Sequence, residues 1–464
     1  MSFDLLIIGG GPGGYVCAIR ASQLGLKVGL VDKNKRLGGT CLNVGCIPSK
    51  ALLHSTEIFH QIQKDASSHG VICPNLELDL GKMMKRKSQV VDQLGKGVRT
   101  LVSKKGVEIF QGSAKVLGNG KILVSNGSAN QELQAQEIVL ATGSSPVELP
   151  SMPFDGTHIV NSDQAIAFDQ VPAELIVVGA GAIGLEMACV WSRLGAKVTI
   201  VEFLDEICPQ LDPEVARITR KIFEKQGIHF ILSSKVENSQ INNGRVYLTV
   251  SNNAGQTELS ADRVLVAVGR KPYSQDLGIE DLDIETDEKG RVKVNNYFQT
   301  NVSGIRAIGD LIHGPMLAHK AEEDGVACAE ILAGQAGHVD YSMVPGVIYT
   351  EPEVANLGIS ESQAKEHGIN VCCGSFPLSG NGRAIATNST DGIVKLVADA
   401  HTDRLLGAQI VARGASEMIA SVVAHMEYGG SAEDLARTIH AHPTLSESIK
   451  EAALSVDGRG LHSL

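Results

Sequence analysis

Residues 3–14 read FDLLIIGGGPGG, an apolar strand that runs into a glycine-rich turn, and this stretch decides the fold. A helical segment follows, and a second apolar strand ends at Asp32. In such a unit Gly9 permits the tight turn, Gly11 lets the backbone approach a pyrophosphate, and Gly14 lets the helix pack closely on the strand. The acid would accept hydrogen bonds from an adenosine ribose. The stretch therefore predicts a dinucleotide-binding unit.

A second copy of this unit lies at residues 173–202. Its first strand leads into Gly179, Gly181 and Gly184, and its second strand ends at Glu202. One G-x-G-x-x-G motif arises readily by chance, but two in the same strand–turn–helix–strand context are a specific signal. The repeat predicts two separate nucleotide-binding sites.

Glu202 also indicates which nicotinamide cofactor the second site takes. A carboxylate at this position bonds a free 2′-hydroxyl but repels a 2′-phosphate, and residues 203–206 (FLDE) offer no arginine to neutralise one. NAD is therefore favoured over NADP. If Glu202 were only a solvated acid at a strand end, this preference would disappear without reversing.

Cys41 and Cys46 follow the first unit in the segment GGTCLNVGCIPSK, residues 38–50. In a regular α-helix their Cα atoms would lie about 8.6 Å apart, whereas a disulfide tolerates at most roughly 7 Å. If the two sulfurs bond, the segment cannot be regular helix, and Gly45 and Pro48 supply the irregularity. Two buried free thiols are the alternative, but a redox cofactor site next door favours a catalytic disulfide.

The bulk composition limits the possible functions. The chain has 464 residues and a net charge of −11, which argues against nucleic acid and anionic lipid as partners. No apolar run approaches a membrane span, and no basic leader precedes the first strand. Nine scattered cysteines do not resemble a secreted disulfide framework, so we expect a reducing compartment, the cytoplasm.

Both glycine fingerprints, the C-x4-C-x3-K segment, Gly309-Asp310 and the C-terminal sequence HAHPTLSE, residues 440–447, together resemble the pyridine nucleotide-disulfide oxidoreductases. The resemblance covers essentially the whole chain. Within the family it is strongest to the flavoproteins that oxidise dihydrolipoamide for 2-oxoacid dehydrogenase complexes. It implies oxidation of a dithiol with reduction of NAD⁺ to NADH, through a redox-active disulfide and FAD.

The resemblance also implies a fold and a set of partners. We expect an α/β protein with two Rossmann-like dinucleotide-binding domains and a C-terminal α+β interface domain. The implied boundaries are residues 1–145 and 272–340 for the FAD-binding domain, 146–271 for the NAD-binding domain and 341–464 for the dimerisation domain. The implied partners are a second copy of the chain and a lipoyl-bearing acyltransferase subunit.

The site residues carried over from the resemblance fall into three groups. The FAD contacts are Gly9, Gly11, Gly14, Asp32, Lys50, Ala114, Thr142, Gly143, Ser144, Asp310, Met316, Leu317, Ala318 and His319. The NAD contacts are Gly179, Gly181, Gly184, Glu186, Glu202, Val236 and Gly269. The catalytic residues are Cys41, Cys46, Lys50, Glu186, His442 and Glu447.

Within the catalytic group the resemblance makes Cys46 the thiol that faces the flavin and Cys41 the thiol that exchanges with substrate. Lys50 would pair with Glu186 near the flavin. His442 would be the base that activates the substrate thiol, a task suited to its pKa. Glu447 would orient its ring.

Some residues keep a competing interpretation. Thr444 and Glu447 also fit a capping box at the start of the last helix, and one carboxylate could serve both roles. His440 is expected to be structural. The adjacent Cys372 and Cys373 lie in a strand-like run and are expected to pack in the core. Trp191 is expected to fill the core or a domain interface.

Two other activities compete with the expected one. A glutathione-type reductase of the same family would prefer NADPH. A catalytically idle subunit that merely holds FAD would lack at least one catalytic residue, and none is missing.

Overall fold

A computed structural model describes residues 2–462. It divides the chain into two compact units, each built from three separate stretches of sequence. We call unit 1 the residues up to 51, 81–147 and 269–341, and unit 2 the residues 52–80, 148–268 and from 342 onward.

The elements before residue 148 include the first predicted nucleotide-binding unit. The strands are β1 Ser2–Ile8, β2 Val28–Asp32, β3 Glu108–Gln111, β4 Ser113–Gly118, β5 Lys121–Asn126, β6 Ala129–Leu140 and β7 Ser144–Pro146. The helices are α1 Pro12–Gln23, α2 Gly39–Val44, α3 Cys46–Lys64 and α4 Leu80–Lys104.

The middle of the chain contains the second unit of the repeat. Its strands are β8 Ile159–Val160, β9 Glu174–Val178, β10 Lys197–Val201, β11 His229–Ile231, β12 Lys235–Asn242, β13 Arg245–Asn252, β14 Gly255–Ala261 and β15 Arg263–Val266. Its helices are α5 Ser162–Ala165, α6 Ala182–Arg193 and α7 Pro213–Lys225.

The remaining elements follow residue 269. The strands are β16 Arg270–Pro272, β17 Ile305–Ala307, β18 Gly346–Ile348, β19 Glu353–Gly358, β20 Val371–Pro377, β21 Ile393–Asp399 and β22 Leu405–Ala412. The helices are α8 Ala318–Leu332, α9 Glu361–Glu366, α10 Gly382–Ala386, α11 Ala415–Glu427, α12 Ala432–Arg437 and α13 Glu447–Val456.

Unit 1 is built on a sheet in which β3, β2, β1 and β6 run parallel in that order, with β17 also parallel to β6. Strands β4 and β5 extend it as an antiparallel meander that ends on β6. The second halves of the central strands are apolar and buried, from Leu5 to Ile8 in β1 and from Ile138 to Leu140 in β6. That pattern is typical of parallel strands covered on both faces.

The first half of unit 2 repeats this plan. Strands β11, β10, β9, β15 and β8 form a parallel sheet, and β12, β13 and β14 form a separate antiparallel meander. The order β10-β9-β15 corresponds to β2-β1-β6 in unit 1. The sequence repeat is therefore a structural repeat as well.

The C-terminal half of unit 2 is different in kind. Its five strands form an antiparallel sheet in the order β18-β19-β22-β21-β20. Helices α11 and α13 pack on this sheet around a core of fully buried side chains that includes Leu396, Ile410 and Ile449. The expected fold class, two Rossmann-like parts and a C-terminal α+β part, is confirmed. The three domain boundaries stay a prediction.

Among residues 2–462, no helix has the length and apolar character needed to cross a membrane.

Candidate active site

The turn between β1 and α1 has the shape that a dinucleotide-binding loop requires. Gly9 has φ +109°, a conformation that a larger residue rarely adopts, and an added Cβ would overlap the carbonyl oxygen of Ala141. A Cβ on Gly14 would overlap the carbonyl oxygen of Gly9. Gly11 is the N-cap of α1 and has no side chain to accept a hydrogen bond from the helix. No N-cap side chain therefore satisfies the first N–H groups of α1.

The turn between β9 and α6 repeats this geometry in unit 2. Gly179 has φ +106°, and a Cβ on Gly184 would overlap its carbonyl oxygen. Gly181 is the uncapped N-cap of α6, and a Cβ added to it would meet no described atom within 4 Å. Open space above an uncapped helix N-terminus fits a bound pyrophosphate, because the unpaired N–H groups and the helix dipole both favour an anion.

Each predicted ribose-binding acid closes its own glycine turn. The Asp32 carboxylate accepts hydrogen bonds from the N–H groups of Gly10 and Asn34, each at 2.7 Å. Glu202 accepts from Ala180 at 2.6 Å and from Leu204 at 2.9 Å, which are the equivalent positions of the second unit. Burial raises the pKa of Asp32, and the two backbone hydrogen bonds oppose that rise. Each carboxylate oxygen keeps a lone pair that could accept a hydrogen bond from a ribose hydroxyl. Contact with a ribose stays a prediction.

Asp310 is held by residues that lie far from it in sequence. It follows β17 in a short 3₁₀ turn, and Ser144 Oγ donates a hydrogen bond of 2.5 Å to its Oδ2. Arg270 donates to both the hydroxyl and the carbonyl oxygen of Ser144, each at 2.7 Å. The sequence interpretation missed Arg270, because only the pairing of β7 with β16 brings it to Ser144. Nearby, Thr142 Oγ1 donates to the carbonyl of Tyr273 at 2.5 Å.

The remaining predicted cofactor contacts lie on strand and helix ends. Ala114 pairs with Val124 within the β4-β5 ladder. Met316 and Leu317 lead into α8, whose first residues are Ala318 and His319 and whose N-cap, Leu317, gives no side-chain cap. In unit 2, Val236 is buried in β12. Gly143 and Gly269 both have positive φ, at +73° and +121°. Their contact with cofactor stays a prediction.

The segment between Leu37 and Cys46 holds a buried polar atom that the sequence did not single out. Asn43 Nδ2 donates to the carbonyls of Leu37 and Gly39 at 3.2 and 2.8 Å. Its Oδ1 is buried and has no hydrogen-bond partner among the described residues. Such an acceptor is costly unless a donor reaches it, which fits a bound group beside this segment.

Cys41 and Cys46 lie on either side of a break in the helix. Helix α2 ends at Val44, Gly45 has φ −125° and ψ −114°, and α3 begins at Cys46. A Cβ on Gly45 would lie 2.9 Å from the carbonyl oxygen of Thr40 and 3.2 Å from the Cα of Cys41. The segment is not a regular helix, which is what a Cys41–Cys46 bond would require, and the break depends on the missing side chain of Gly45.

The two thiols are reduced and hydrogen-bonded to each other. This contact raises the pKa of the half-buried Cys41 far above its usual range, and burial and the Glu322 carboxylate raise it further, while the Lys50 ammonium opposes the rise. The two sulfurs are therefore neighbours. Their function as a redox pair stays a prediction.

Glu186 is buried in α6 and accepts a hydrogen bond of 3.0 Å from the N–H of Tyr349. Lys50 lies in α3. Their mutual pairing stays a prediction.

His442 and Glu447 form a close pair in unit 2. Glu447 Oε1 lies 2.9 Å from His442 Nδ1, and its Oε2 accepts the N–H of Thr444 at 2.8 Å. Partial burial alone would raise the pKa of Glu447, but the bonds from Thr444 and His442 outweigh it and hold that pKa below its usual range. The His442 side chain is 80% exposed, so the imidazole is accessible to a partner.

The proposed capping box is only half present. Thr444 Oγ1 donates to the carbonyl of Ala441 rather than accepting from the helix, and α13 begins at Glu447 with Ser446 as its N-cap. The interpretation of Thr444 as the N-cap was wrong, because its hydroxyl closes the preceding turn instead. The carboxylate nevertheless serves both His442 and a backbone N–H.

One expected core position is also wrong. Cys372 is exposed and Cys373 is half-buried. Strand β20 lies at the edge of its sheet, and Cys372 is its second residue, so a neighbouring strand covers it on one side only. Trp191 is fully buried as expected, and its Nε1 donates to the carbonyl of Ala165 at 3.1 Å. His440 is half-buried, with Nδ1 3.1 Å from the carbonyl oxygen of Thr438.

Comparison with known proteins agrees with this geometry. Residues 3–325 match the pyridine nucleotide-disulphide oxidoreductase family, and residues 344–453 match its dimerisation domain. The second match assigns the C-terminal part of the chain to formation of a homodimer.

Similar proteins span nearly the whole chain. Mitochondrial dihydrolipoyl dehydrogenase of Pisum sativum is 48% identical over 99% of this chain and 92% of its own length. Dihydrolipoyl dehydrogenase 3 of Pseudomonas putida is 46% identical over 99% of both. Leghemoglobin reductase of Glycine max is 47% identical over 97% of this chain and 87% of its own.

Among solved structures, LpdA of Mycobacterium tuberculosis gives a TM-score of 0.89 at 26% identity, covering 97% of this chain and 98% of that one. The HOCl-induced flavoprotein disulfide reductase RclA of Escherichia coli gives 0.85 at 27% identity, covering 97% and 99%. The chain belongs to the pyridine nucleotide-disulphide oxidoreductase family.

Proposed function

We propose that this chain oxidises protein-bound dihydrolipoamide to lipoamide and reduces NAD⁺ to NADH, as the flavoprotein component of a 2-oxoacid dehydrogenase complex. The observation that carries the proposal is the contact between the Cys41 and Cys46 thiols at the Gly45 break. A dithiol built into a dinucleotide-binding unit is suited to exchange with a second dithiol. The dihydrolipoyl dehydrogenases among the similar proteins support the choice of substrate.

FAD and NAD are the cofactors of this reaction. The first glycine turn, Asp32 and Asp310 would hold FAD, and the second turn with Glu202 would hold NAD. When bound, FAD supplies a two-electron acceptor that takes electrons from the protein dithiol and passes them to NAD⁺.

The protein's own residues carry out the sulfur chemistry. In the oxidised enzyme a substrate thiolate attacks Cys41 Sγ, the Cys41–Cys46 bond breaks, and the electron pair leaves on Cys46. The second substrate thiolate then attacks the first substrate sulfur in the mixed disulfide. Cys41 leaves as a thiolate, and lipoamide is released.

His442 supplies the base for these steps. Only the thiolate form of the substrate is nucleophilic, so a base must take the thiol proton. Glu447 Oε1 engages Nδ1 of the ring, which leaves Nε2 available to accept that proton. The ionised carboxylate also stabilises the imidazolium that forms. Cys46 lies next to Cys41, so the thiolate that forms on Cys46 stays within reach of Cys41 for the disulfide to form again.

Glu202 supports NAD rather than NADP as the nicotinamide. Both of its oxygens accept backbone N–H groups, which fixes a negative charge beside the ribose position. A 2′-phosphate at that position would meet this charge. A glutathione-type reductase, which would prefer NADPH, would need a positive charge at this position instead.

The partner and the compartment belong to the same proposal. A lipoyl-bearing acyltransferase subunit would present the substrate on a mobile arm. The nine cysteines are scattered along the sequence and do not resemble a secreted disulfide framework, which supports a reducing compartment, the cytoplasm.

One measurement tests the proposal directly. The purified yellow protein should produce NADH, followed by absorbance, when given dihydrolipoamide and NAD⁺, and should be far less active with NADPH and glutathione disulfide. A protein that holds FAD but forms no NADH from dihydrolipoamide would be an idle flavin carrier. Preference for NADPH and glutathione disulfide would instead indicate a glutathione-type reductase.

A further inference from the structure

Unit 1 contains a fully buried ion pair that the proposed reaction does not use. Lys320 and Asp324 lie one turn apart on α8, and both side chains are completely buried. Lys320 Nζ lies 2.7 Å from Asp324 Oδ2. Burying two charges costs several kcal/mol, so a buried pair is weak evidence for a stabilising role. The contacts around the pair indicate what else it does.

The pair makes hydrogen bonds to both backbone polar groups of one residue, Gly309. Lys320 Nζ donates to the carbonyl oxygen of Gly309 at 3.0 Å, and Asp324 Oδ2 accepts the N–H of Gly309 at 2.9 Å. Gly309 has φ +73° and comes immediately before Asp310. The backbone from which the Asp310 side chain projects is therefore fixed from the side of α8.

A tyrosine completes the cluster. Tyr341 Oη donates to Asp324 Oδ1 at 2.8 Å, and Lys320 Nζ lies 4.7 Å from the centre of its ring. Burial, and then the neighbouring Asp324 carboxylate, raise the pKa of Tyr341 well above its usual range, so the phenol remains a donor. A Cβ on Gly314 would lie 2.9 Å from Lys320 Cε and 3.0 Å from the Tyr341 ring. The loop that leads from Asp310 to α8 is thus folded tightly onto this cluster.

Helix α8 is also fixed against the first glycine turn. A Cβ on Gly13 would lie 2.9 Å from the carbonyl oxygen of Ala321, and one on Gly325 would lie 2.5 Å from the carbonyl oxygen of Gly13. The same helix therefore touches the predicted pyrophosphate turn, holds the backbone before Asp310 and begins with the predicted flavin contacts.

We propose that Lys320 and Asp324 are positioning residues for FAD: by clamping the Gly309 peptide, they hold Asp310 in the orientation that its flavin contact requires. The Asp310 carboxylate is fixed on its other side by Ser144 Oγ. Its charge also acts on the Lys320 ammonium. This inference rests on the proposed function, since it takes FAD as the ligand of Asp310.

The principal variant is Lys320→Met with Asp324→Asn. It removes both charges together, so no uncompensated buried charge remains, and the Asn oxygen can still accept one hydrogen bond. FAD release is measured on the purified holoprotein by dilution, with the return of flavin fluorescence as the signal. We expect release to be about tenfold faster or more, the effect of losing a hydrogen bond to a charged group.

Arg20→Met with Glu330→Gln is the matched control. Arg20 on α1 and Glu330 on α8 form a 2.7 Å ion pair near the other end of the same helix, and neither residue touches Gly309. Because this pair is partly exposed, its loss should change the release rate by less than about twofold. Equal release rates in wild type and the Lys320/Asp324 variant would overturn the proposal. So would equal acceleration in the control.

A double-mutant cycle separates positioning from general weakening of unit 1. Asp310→Asn should speed FAD release by itself. If the clamp acts through Asp310, adding the Lys320/Asp324 substitutions to Asp310→Asn should have much less effect than they have in the wild-type background. Independent, additive effects would mean that the clamp does not act through Asp310, and the proposal would fall.

A single variant covers the case in which the double substitution does not fold. Asp324→Asn preserves the shape of the side chain, and folding is checked by far-ultraviolet circular dichroism. We expect its FAD release to be about threefold faster, and an unchanged rate would overturn the proposal. A wild-type protein that purifies without FAD would contradict the proposed function itself, whereas a wild type that holds FAD as tightly as its variants contradicts only the clamp.

Discussion

Glu447 divides its two carboxylate oxygens between His442 and the backbone, with Oε1 2.9 Å from His442 Nδ1 and Oε2 2.8 Å from the N–H of Thr444. The backbone bond fixes the carboxylate, and the carboxylate in turn fixes the ring. An exposed histidine would otherwise rotate among several orientations. The arrangement therefore gives the imidazole one tautomer, with its second nitrogen free to accept a proton.

The first prediction concerns this base. His442→Gln should slow dihydrolipoamide oxidation by about 10²–10⁴-fold, because general-base catalysis is lost, while FAD stays bound. The measurement is steady-state NADH formation, together with the flavin content of the protein. His440→Gln is the control, since the ring of this neighbouring histidine lies on the carbonyl oxygen of Thr438 rather than on Glu447. Unchanged turnover in the His442 variant would contradict the assignment of the base.

The second prediction concerns the helix break. Gly45→Ala places a Cβ 2.9 Å from the Thr40 carbonyl oxygen and 3.2 Å from the Cys41 Cα, so the backbone that carries Cys41 must move. We expect a destabilisation of about 1–3 kcal/mol and slower closure of the disulfide. Closure is followed by titrating free thiols after oxidation.

Gly97→Ala is the control for this prediction. Gly97 lies in α4, and an added Cβ meets no described atom within 4 Å. Alanine should stabilise that helix by up to about 1 kcal/mol. Normal disulfide closure in Gly45→Ala would show that the break does not position the sulfurs.

The sequence predicted the repeated elements well because they are local. A strand, a glycine turn, a helix and a terminal acid all lie within one short stretch, so their spacing alone determines their geometry. The sequence did not reveal that Asp32 and Glu202 close their own turns. Ribose hydroxyls and backbone N–H groups both donate hydrogen bonds to a carboxylate, so the residue type does not distinguish the two partners.

Contacts between distant segments were harder to predict. Arg270 reaches Ser144 only through the pairing of β7 with β16, and Gly309 is held by a helix that begins several residues later. The prediction that Cys372 is buried failed for a related reason. The alternation along β20 does not reveal that β20 lies at the edge of its sheet, so Cys372 was wrongly expected in the core.

The third prediction concerns cofactor choice. Glu202→Gln keeps an acceptor for a backbone N–H but removes the negative charge. We expect the ratio of kcat/KM for NADP⁺ to that for NAD⁺ to rise by about tenfold, the effect of relieving one like-charge repulsion. Asp205→Asn in the same loop is the control, because Asp205 is exposed and lies outside the turn. An unchanged ratio would mean that Glu202 does not select NAD.

The fourth prediction concerns acid stability. Hydrogen bonds from Lys365 and Lys395 lower the pKa of Glu361 to about 2. A lowered pKa contributes stability above the unfolded value of about 4.5, and this contribution is lost as the pH falls toward about 2. Glu361→Gln should therefore lower the free energy of unfolding at pH 7 by about 1 kcal/mol, after allowance for solvent screening, and by less at pH 3.

Urea unfolding of unit 2 at both pH values, followed by the fluorescence of the buried Trp191, measures this difference. Glu366→Gln, an exposed position on the same helix, is the control. A loss of equal size at both pH values would mean that the charge of Glu361 is not what stabilises the fold.

The fifth prediction tests whether the homodimer shares its active sites. The family resemblance implies that His442 of one subunit serves the disulfide of the other. In a heterodimer of His442→Gln and Cys41→Ser subunits, shared sites would leave one site with both residues intact and one with neither. Such a heterodimer should recover about half the activity of the wild-type dimer. If each subunit used its own histidine, both sites would carry a lesion and the mixed dimer would be as inactive as its parents. Two affinity tags isolate the heterodimer, and NADH formation per bound FAD distinguishes the two arrangements.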